Sequence, residues 1–455
     1  MSSPAPHTTH DPRLTTGIGA SPRRKETERF VQGAGKYTDD IQLPNMAYAA
    51  FVRSFVAHAL IKGINAKDAL ALPGVLGVLT PTELLTASGA QPIGRRLPLP
   101  ADKVRHVGEA VAVVVAETRY TAQDGASAVF VDYESLPAVT DVEKAIEPGS
   151  PQLYDDSPSN IIHQMHIKTD DLDKVFAEAD LVVSERFQTQ RLSGAPMEPR
   201  AILASYDPIA DELTMWCSSS AVSTTRMRLA DVLGIPETRV RVIAPDVGGN
   251  FGSKNGLYPE DFLVAHLSRA FKRPVKWAET RTEHLAVARH GRGQTHYIQL
   301  ALRKDGRILG LKDRILGDMG ASQGANVSLT ASFLYMTGSY DVQQVEVEAI
   351  GVATNKCAHG PVRGIGKADA ALVTERTIDV AARRLGLDPA EVRLKNFVPP
   401  EAFPYHTPTG AVLDSGRYGD ALRRAMELAG YDELRREQAR RVAPESGVGS
   451  GESAT

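Results

Sequence analysis

The stretch that most constrains this chain is Arg239–Gly256, RVRVIAPDVGGNFGSKNG. Val240 to Ala244 alternate and carry β-branched residues, which predicts a strand. Pro245 and Asp246 stop the ladder, and Gly248, Gly249 and Gly252 then surround Phe251 and Lys254. A strand running into a glycine-rich turn gathers bare backbone N–H groups, and such a nest suits an anionic ligand. The turn is not a nucleotide P-loop: Ser253 separates Gly252 from Lys254, and Asn255 follows where Ser or Thr is required. The GxGxxG dinucleotide fingerprint is absent as well. The same residues equally fit a plain tight turn that needs positive φ.

At 455 residues the chain exceeds one ordinary domain, so roughly two or three domains are expected. A hydrophobic content of 42% with 24% charged residues describes a globular protein, and a net charge of −3 gives no case for general nucleic-acid binding. With only Cys217 and Cys357, neither a disulfide scaffold nor a cysteine-ligated iron–sulfur cluster can be built. The opening MSSPAPHTTHDPR lacks the apolar core of a secretory signal, and no apolar run reaches transmembrane length. A cytoplasmic location is expected.

Residues 1–16 are Pro-, Ser- and His-rich and read as a disordered leader. Residues 17–146 form an α+β unit with strands at Ala47–Val52, Val75–Leu79, Ala110–Ala116 and Ala128–Tyr133, and helices near 66–72 and 121–128. The Pro/Ser/Asp-rich stretch 147–159 reads as an exposed linker. A larger unit over 160–432 carries strands near 179–188, 202–206, 213–217, 275–277, 295–302 and 308–315. Its helices are expected over 225–233, 259–270 and 374–385, the last behind a second glycine cluster, HGPVRGIGKAD (His359–Asp369). Residues 433–455, charged and then Ser/Gly-rich, read as a disordered, solvated tail.

Several stretches in order resemble the molybdenum-binding large subunit of the xanthine dehydrogenase, aldehyde oxidase and aerobic carbon monoxide dehydrogenase family. VQGAGKYTDDIQLPNM (Val31–Met46), FVRSFVAHA (Phe51–Ala59), HVGEAVAVVVAET (His106–Thr118) and VDYESLPAV (Val131–Val139) are similar to its α/β hammerhead domain. PMEPR (Pro196–Arg200), DVGGNFGSK (Asp246–Lys254), GPVRGIG (Gly360–Gly366), ERTIDVAARRLGLDPAEVRLKNF (Glu375–Phe397) and FPYHTPTG (Phe403–Gly410) are similar to its first molybdopterin-binding domain. The implied architecture is α+β: a hammerhead domain followed by the first cofactor-binding half.

The resemblance implies a molybdopterin cofactor, in its cytosine dinucleotide form, whose dithiolene rather than a protein side chain holds the molybdenum. It implies cofactor contacts from Ser220, Gly248, Gly249, Asn250, Phe251, Gly252, Arg363 and Gly364. It also implies hydroxylation of an electron-poor carbon, with electrons leaving through iron–sulfur and FAD partner subunits. Four departures matter. Ser220 stands where the pocket glutamine is expected, and Asn250 replaces the third glycine of GGGFG. Asn255 replaces a glutamate of purine oxidisers, and Gly364 the cysteine of carbon monoxide oxidisers. The chain stops before the second cofactor-binding half, which carries the catalytic glutamate, so no catalytic residue and no direct metal ligand is expected here. Two readings follow: an enzyme subunit whose site is completed by a second half, possibly a separate polypeptide, or a non-catalytic remnant. Among neighbouring residues, Glu198 reads as a buried paired carboxylate, while Lys254 fits either phosphate neutralisation or helix capping. His106, His359 and His406 read as structural or exposed.

Overall fold

A computed structural model of the chain describes residues 20, 22, 24–88, 98–321 and 327–442. The expected leader 1–16 and residues 443–455 lie outside them. Ala110–Ala116, AVAVVVA, explains the architecture best: every residue of this strand is buried, so both of its faces need cover. It is the sixth strand of a seven-stranded sheet ordered Val240–Ile243, Glu212–Cys217, Ala201–Asp207, Val275–Ala278, Ala47–Arg53, Ala110–Ala116, Val75–Leu79. The helix Arg119–Ala128 packs on one side of Ala47–Arg53 and Ala110–Ala116. On the other side Phe51, Leu79 and Val113 share one core with Ile202, Met215, Phe262, Leu263 and Trp277.

The two expected units share a sheet. Ala47–Arg53 pairs in parallel with Val275–Ala278 (Ala47↔Val275, Tyr48↔Lys276), so strands from before and after the proposed linker complete one sheet. The linker is also not simply exposed. Leu153 and Tyr154 are buried with Val139, Val142 and Ala145 against Leu316, Ile350 and Val352. The Asn160 side chain, itself buried, donates to the carbonyls of Ala145 (3.0 Å) and Pro151 (2.8 Å). Polar composition suggested solvent, but two apolar side chains in the stretch suffice to pin it to a neighbouring core.

A five-stranded sheet follows in the order Ile161–Lys168, Val345–Ala353, Ile308–Gly320, Gln294–Leu302, Leu181–Gln188. The helix Lys367–Leu385 covers it through Ala370, Val373, Ile378, Ala381 and Ala382. With buried Thr374 and Thr377 between them, these positions recur at three- and four-residue spacing and form one buried stripe. The helix begins seven residues earlier than expected, directly behind the second glycine cluster, and ends at Gly386 with φ +69°. The helix Pro259–Phe271 opens with Pro at its first turn and with Asp261 accepting from Tyr258 N (2.7 Å). Phe262, Leu263 and Leu267 on that helix are buried, each burial contributing about 1.5–3 kcal/mol.

The expected disorder over 433–455 is corrected for its first part, which is solvated but helical. Tyr431–Val442 is a helix, joined through Gly430 (φ +61°) to the helix Tyr418–Ala429. Tyr431 Oη donates to Asp388 at 3.1 Å, and Arg435 Nε donates to the same carboxylate at 2.9 Å. This helix has a polar surface all round and leaves no apolar period to read in the sequence.

Candidate functional site

The glycine turn leaves the edge strand Val240–Ile243 and is fastened from several sides. Arg29 donates through both terminal nitrogens to Asp246, one of them at 2.7 Å to Oδ1. The backbone of Lys36 and Asp246 pairs as well: Asp246 N to Lys36 O at 3.0 Å, Lys36 N to Asp246 Oδ2 at 2.7 Å. The segment before the first strand is thereby a strap over the start of the turn. The Arg29 side-chain hydrogen bond, with the Lys36 N–H, holds the Asp246 carboxyl down to about 2. A carboxyl depressed in the fold contributes stability that is complete above its unfolded value near 4 and is lost as pH falls toward 2. Asp246→Asn is therefore expected to lower the Tm at pH 5 and above, with the difference from wild type shrinking between about pH 4 and pH 2. A difference that does not change with pH would remove the Asp246 charge from the account.

Behind the turn, Glu198 Oε2 accepts from Gly248 N (2.8 Å) and from Lys254 Nζ (2.8 Å). Glu198 is thus the paired carboxylate expected, and fully enclosed Lys254 is its partner rather than a phosphate ligand or a helix cap. Burial lowers the Lys254 pKa, with Glu198 opposing. Deeper still lies a charged cluster. Arg200 Nη2 and Nε bond Glu279 Oε1 (2.6 and 3.1 Å), and Arg200 Nη1 bonds Glu260 Oε2 (3.2 Å). Arg53 Nη1 bonds Glu260 Oε1 (3.0 Å), and His284 Nδ1 lies 2.8 Å from Glu279 Oε2. Burial alone would raise the Glu279 pKa, but the Arg200 charge and the His284 and Arg200 hydrogen bonds prevail and hold it to about 2.

The tip of the turn closes on itself. Asn250 Oδ1 accepts from Gly252 N (2.8 Å) and Lys254 N (2.9 Å), and Asn250 O accepts from Ser253 N (3.0 Å). Asn250 Nδ2 donates to Ser220 Oγ and to Asn255 Oδ1 (3.1 Å), and Ser220 Oγ donates to Asn255 Oδ1. The N–H groups of Gly248, Gly252 and Lys254 thus already have partners inside the protein, as the tight-turn reading of the glycines expects at those positions. Three of the four departures noted above, Ser220, Asn250 and Asn255, form one uncharged network.

Phe251 stands between these bonds at φ +53° with 45% of its surface exposed. A left-handed backbone costs a bulky residue about 1–2 kcal/mol, so the surrounding bonds must hold it there. Its carbonyl accepts from Arg363 N at 2.8 Å, which joins the turn to the second glycine loop. Gly252, at φ +105°, lies so close that a Cβ would sit 2.1 Å from Pro361 O. Gly366 is equally confined, with a Cβ position 1.8 Å from Ser328 O. Arg292 Nη2 donates to Arg363 O (2.8 Å), and Gly364 adopts φ +96°. The exposed Arg363 guanidinium has no hydrogen bond or ion pair among the described residues. Half-buried His359 shares Nε2 with Arg292 O (3.1 Å), and loss of hydration lowers its pKa to about 4, so it is neutral at pH 7.

The two loops thus bring Phe251, Gly252, Arg363 and Gly364 together, with Gly248, Gly249 and Asn250 on the same turn and Ser220 at its side. Sequence reasoning missed the strap residues Arg29, Lys36 and Asp246, and the brace Arg292; their partners are distant in the chain, and no local pattern marks them. Among the described residues no group of three or more His, Cys, Asp or Glu side chains is placed to hold a metal. No helix among them is long and apolar enough to cross a membrane. A cleft of about 650 Å³ lined by Arg191, His290, Asp318 and Cys357 lies apart from Phe251 and Arg363.

Fold and paired loops define a cofactor-binding domain preceded by a hammerhead. Residues 153–397 match the molybdopterin cofactor-binding domain, and residues 32–137 match the aldehyde oxidase and xanthine dehydrogenase a/b hammerhead domain. The chain belongs to the xanthine dehydrogenase family of molybdopterin-binding large subunits. It is 38% identical to the carbon monoxide dehydrogenase large chain of Afipia carboxidovorans over 93% of this chain and 55% of that one. It is 32% identical to the nicotinate dehydrogenase large molybdopterin subunit of Eubacterium barkeri over 92% of this chain and 98% of that one. Quinoline 2-oxidoreductase of Pseudomonas putida 86 superposes with a TM-score of 0.89 at 37% identity, over 94% of this chain and 56% of that one. The chain therefore spans about half the length of the first and third of these relatives and nearly all of the second.

Proposed function

We propose that this chain forms one of two protein halves that grip a molybdopterin cofactor, and that the assembled enzyme hydroxylates an aldehyde or an N-heterocycle. The observation that carries the reading is the crossing of the two glycine loops, which bonds the backbone of Phe251, whose ring is exposed, to that of Arg363, whose guanidinium has no partner among the described residues. An aromatic face and a free cation, on backbone too tight for a Cβ at Gly252, fit a planar heterocycle with an anionic edge. When bound, the molybdenum cofactor supplies the redox centre. This chain's residues would bind and orient it: Arg363 would pair with an anionic group, Phe251 would offer an aromatic face, and Arg292 fixes the Arg363 loop.

The cytosine dinucleotide form is the one proposed, and electrons pass to iron–sulfur and FAD partner subunits in the cytoplasm. The general base belongs to a second half, carried on a continuation of this chain or on a separate polypeptide. A relative of this length that is itself a molybdopterin subunit supports the separate arrangement. Asn255 and Gly364 argue against purines and carbon monoxide as substrates. A second reading, a cofactor-binding but non-catalytic remnant, draws on Ser220, whose hydroxyl is engaged with Asn250 and Asn255.

Elemental analysis tests the proposal. Co-expression with a second half is expected to give a complex with stoichiometric molybdenum, lowered by Gly249→Val or Arg363→Ala, and dye reduction with aldehydes or N-heterocycles. A complex that carries the metal without turnover supports the remnant. A lone chain that is a monomer with stoichiometric metal overturns the two-half arrangement.

A further inference from the structure

Asn250 directly precedes Phe251, and its one side chain bonds both the turn beyond Phe251 and the neighbouring loop. Its Oδ1 takes the N–H groups of Gly252 and Lys254, and its Nδ2 reaches across to Ser220 and Asn255. No glycine could make any of these bonds. The residue they bracket is the one with the left-handed backbone and the exposed ring. On its far side Phe251 accepts through its carbonyl from Arg363 N.

We propose that Asn250 is a positioning residue: its carboxamide oxygen stands in for an anion in the glycine nest and so presets Phe251 for the cofactor before the cofactor arrives. The turn is thereby organised without a ligand, and the cost of ordering it is not charged to binding. The acceptor oxygen is the essential half of the amide; the Nδ2 bonds tie the finished turn to the neighbouring loop. Its functional consequence rests on the cofactor site proposed above, while the preorganisation itself does not.

The two can be tested separately. In the cofactor-free chain, trypsin reports on the turn through Lys254, whose side chain is fully enclosed, against exposed Arg417 as an internal reference. Asn250→Ala removes two backbone hydrogen bonds and is expected to speed cleavage after Lys254 about tenfold or more, with cleavage after Arg417 unchanged. Asn250→Asp keeps an acceptor oxygen and is expected to stay within about twofold of wild type, as is Ser220→Ala, which removes only a cross-tie. Molybdenum retained after gel filtration of the complex should fall in the same order. Equal acceleration at both sites in Asn250→Ala, or none at Lys254, overturns the inference. So does Asn250→Asp behaving like Asn250→Ala. A wild-type complex without molybdenum, with the protease pattern intact, defeats the cofactor reading and leaves the preorganised turn standing.

Discussion

Gly252→Ala is expected to abolish molybdenum retention and to destabilise the cofactor-binding region by several kcal/mol. Two effects add. At φ +105° any L-residue is strained, and the new Cβ would meet Pro361 O at 2.1 Å. That oxygen is backbone and cannot rotate away, so the two glycine loops must separate and the Phe251–Arg363 bond between them must lengthen. Gly234→Ala is the control. It also has positive φ (+65°), but a Cβ there meets nothing within 4 Å, so it should cost only about 1 kcal/mol and leave the metal in place. Denaturant melts and elemental analysis of the two variants side by side check this. Equal losses in both would mean that backbone strain, not the loop crossing, governs the site.

Arg200→Met is expected to cost about 3–5 kcal/mol at pH 7. Its guanidinium is enclosed and is shared between the buried carboxylates Glu260 and Glu279, so its loss leaves two charges facing each other without a cation between them. Glu279 is held to about 2 chiefly by Arg200 against the opposing effect of burial. Without Arg200, burial prevails and the carboxyl should take up a proton well above its normal range. The sign of the pH dependence follows. In wild type this carboxylate contributes stability above its unfolded value near 4.3, lost as pH falls toward 2. In the variant, protonation relieves the buried charge, so the deficit should shrink between pH 7 and pH 5. Adding Glu279→Gln should recover part of the loss at pH 7. A deficit constant with pH, or no recovery, would show that packing of Arg200 over the Tyr258 ring, 3.9 Å away, outweighs its charge.

Features resting on local backbone demands were legible in the sequence by itself. Ala110–Ala116 reads as a buried strand from its unbroken apolar run, and Pro259–Phe271 reads as a helix from its acidic first turn and periodic Phe262, Leu263 and Leu267. The two glycine clusters mark tight loops because only glycine tolerates φ values such as those of Gly252 and Gly364. Motif order was enough to identify the family. Which of these pieces touch was decided by the tertiary structure alone. Strand Ala47–Arg53 finds its parallel neighbour Val275–Ala278 more than 200 residues away, and Arg29 finds Asp246 across a similar distance. Neither partner leaves a trace in the local pattern, since a strand's alternation says which face is apolar but not which edge it meets. The same holds at the site. Asn250 in place of a glycine looks from sequence like a blemish in an anion nest. Folding brings Ser220 and Asn255 beside it and turns its amide into the closure of the loop, because a side-chain oxygen can satisfy backbone N–H groups as a ligand would.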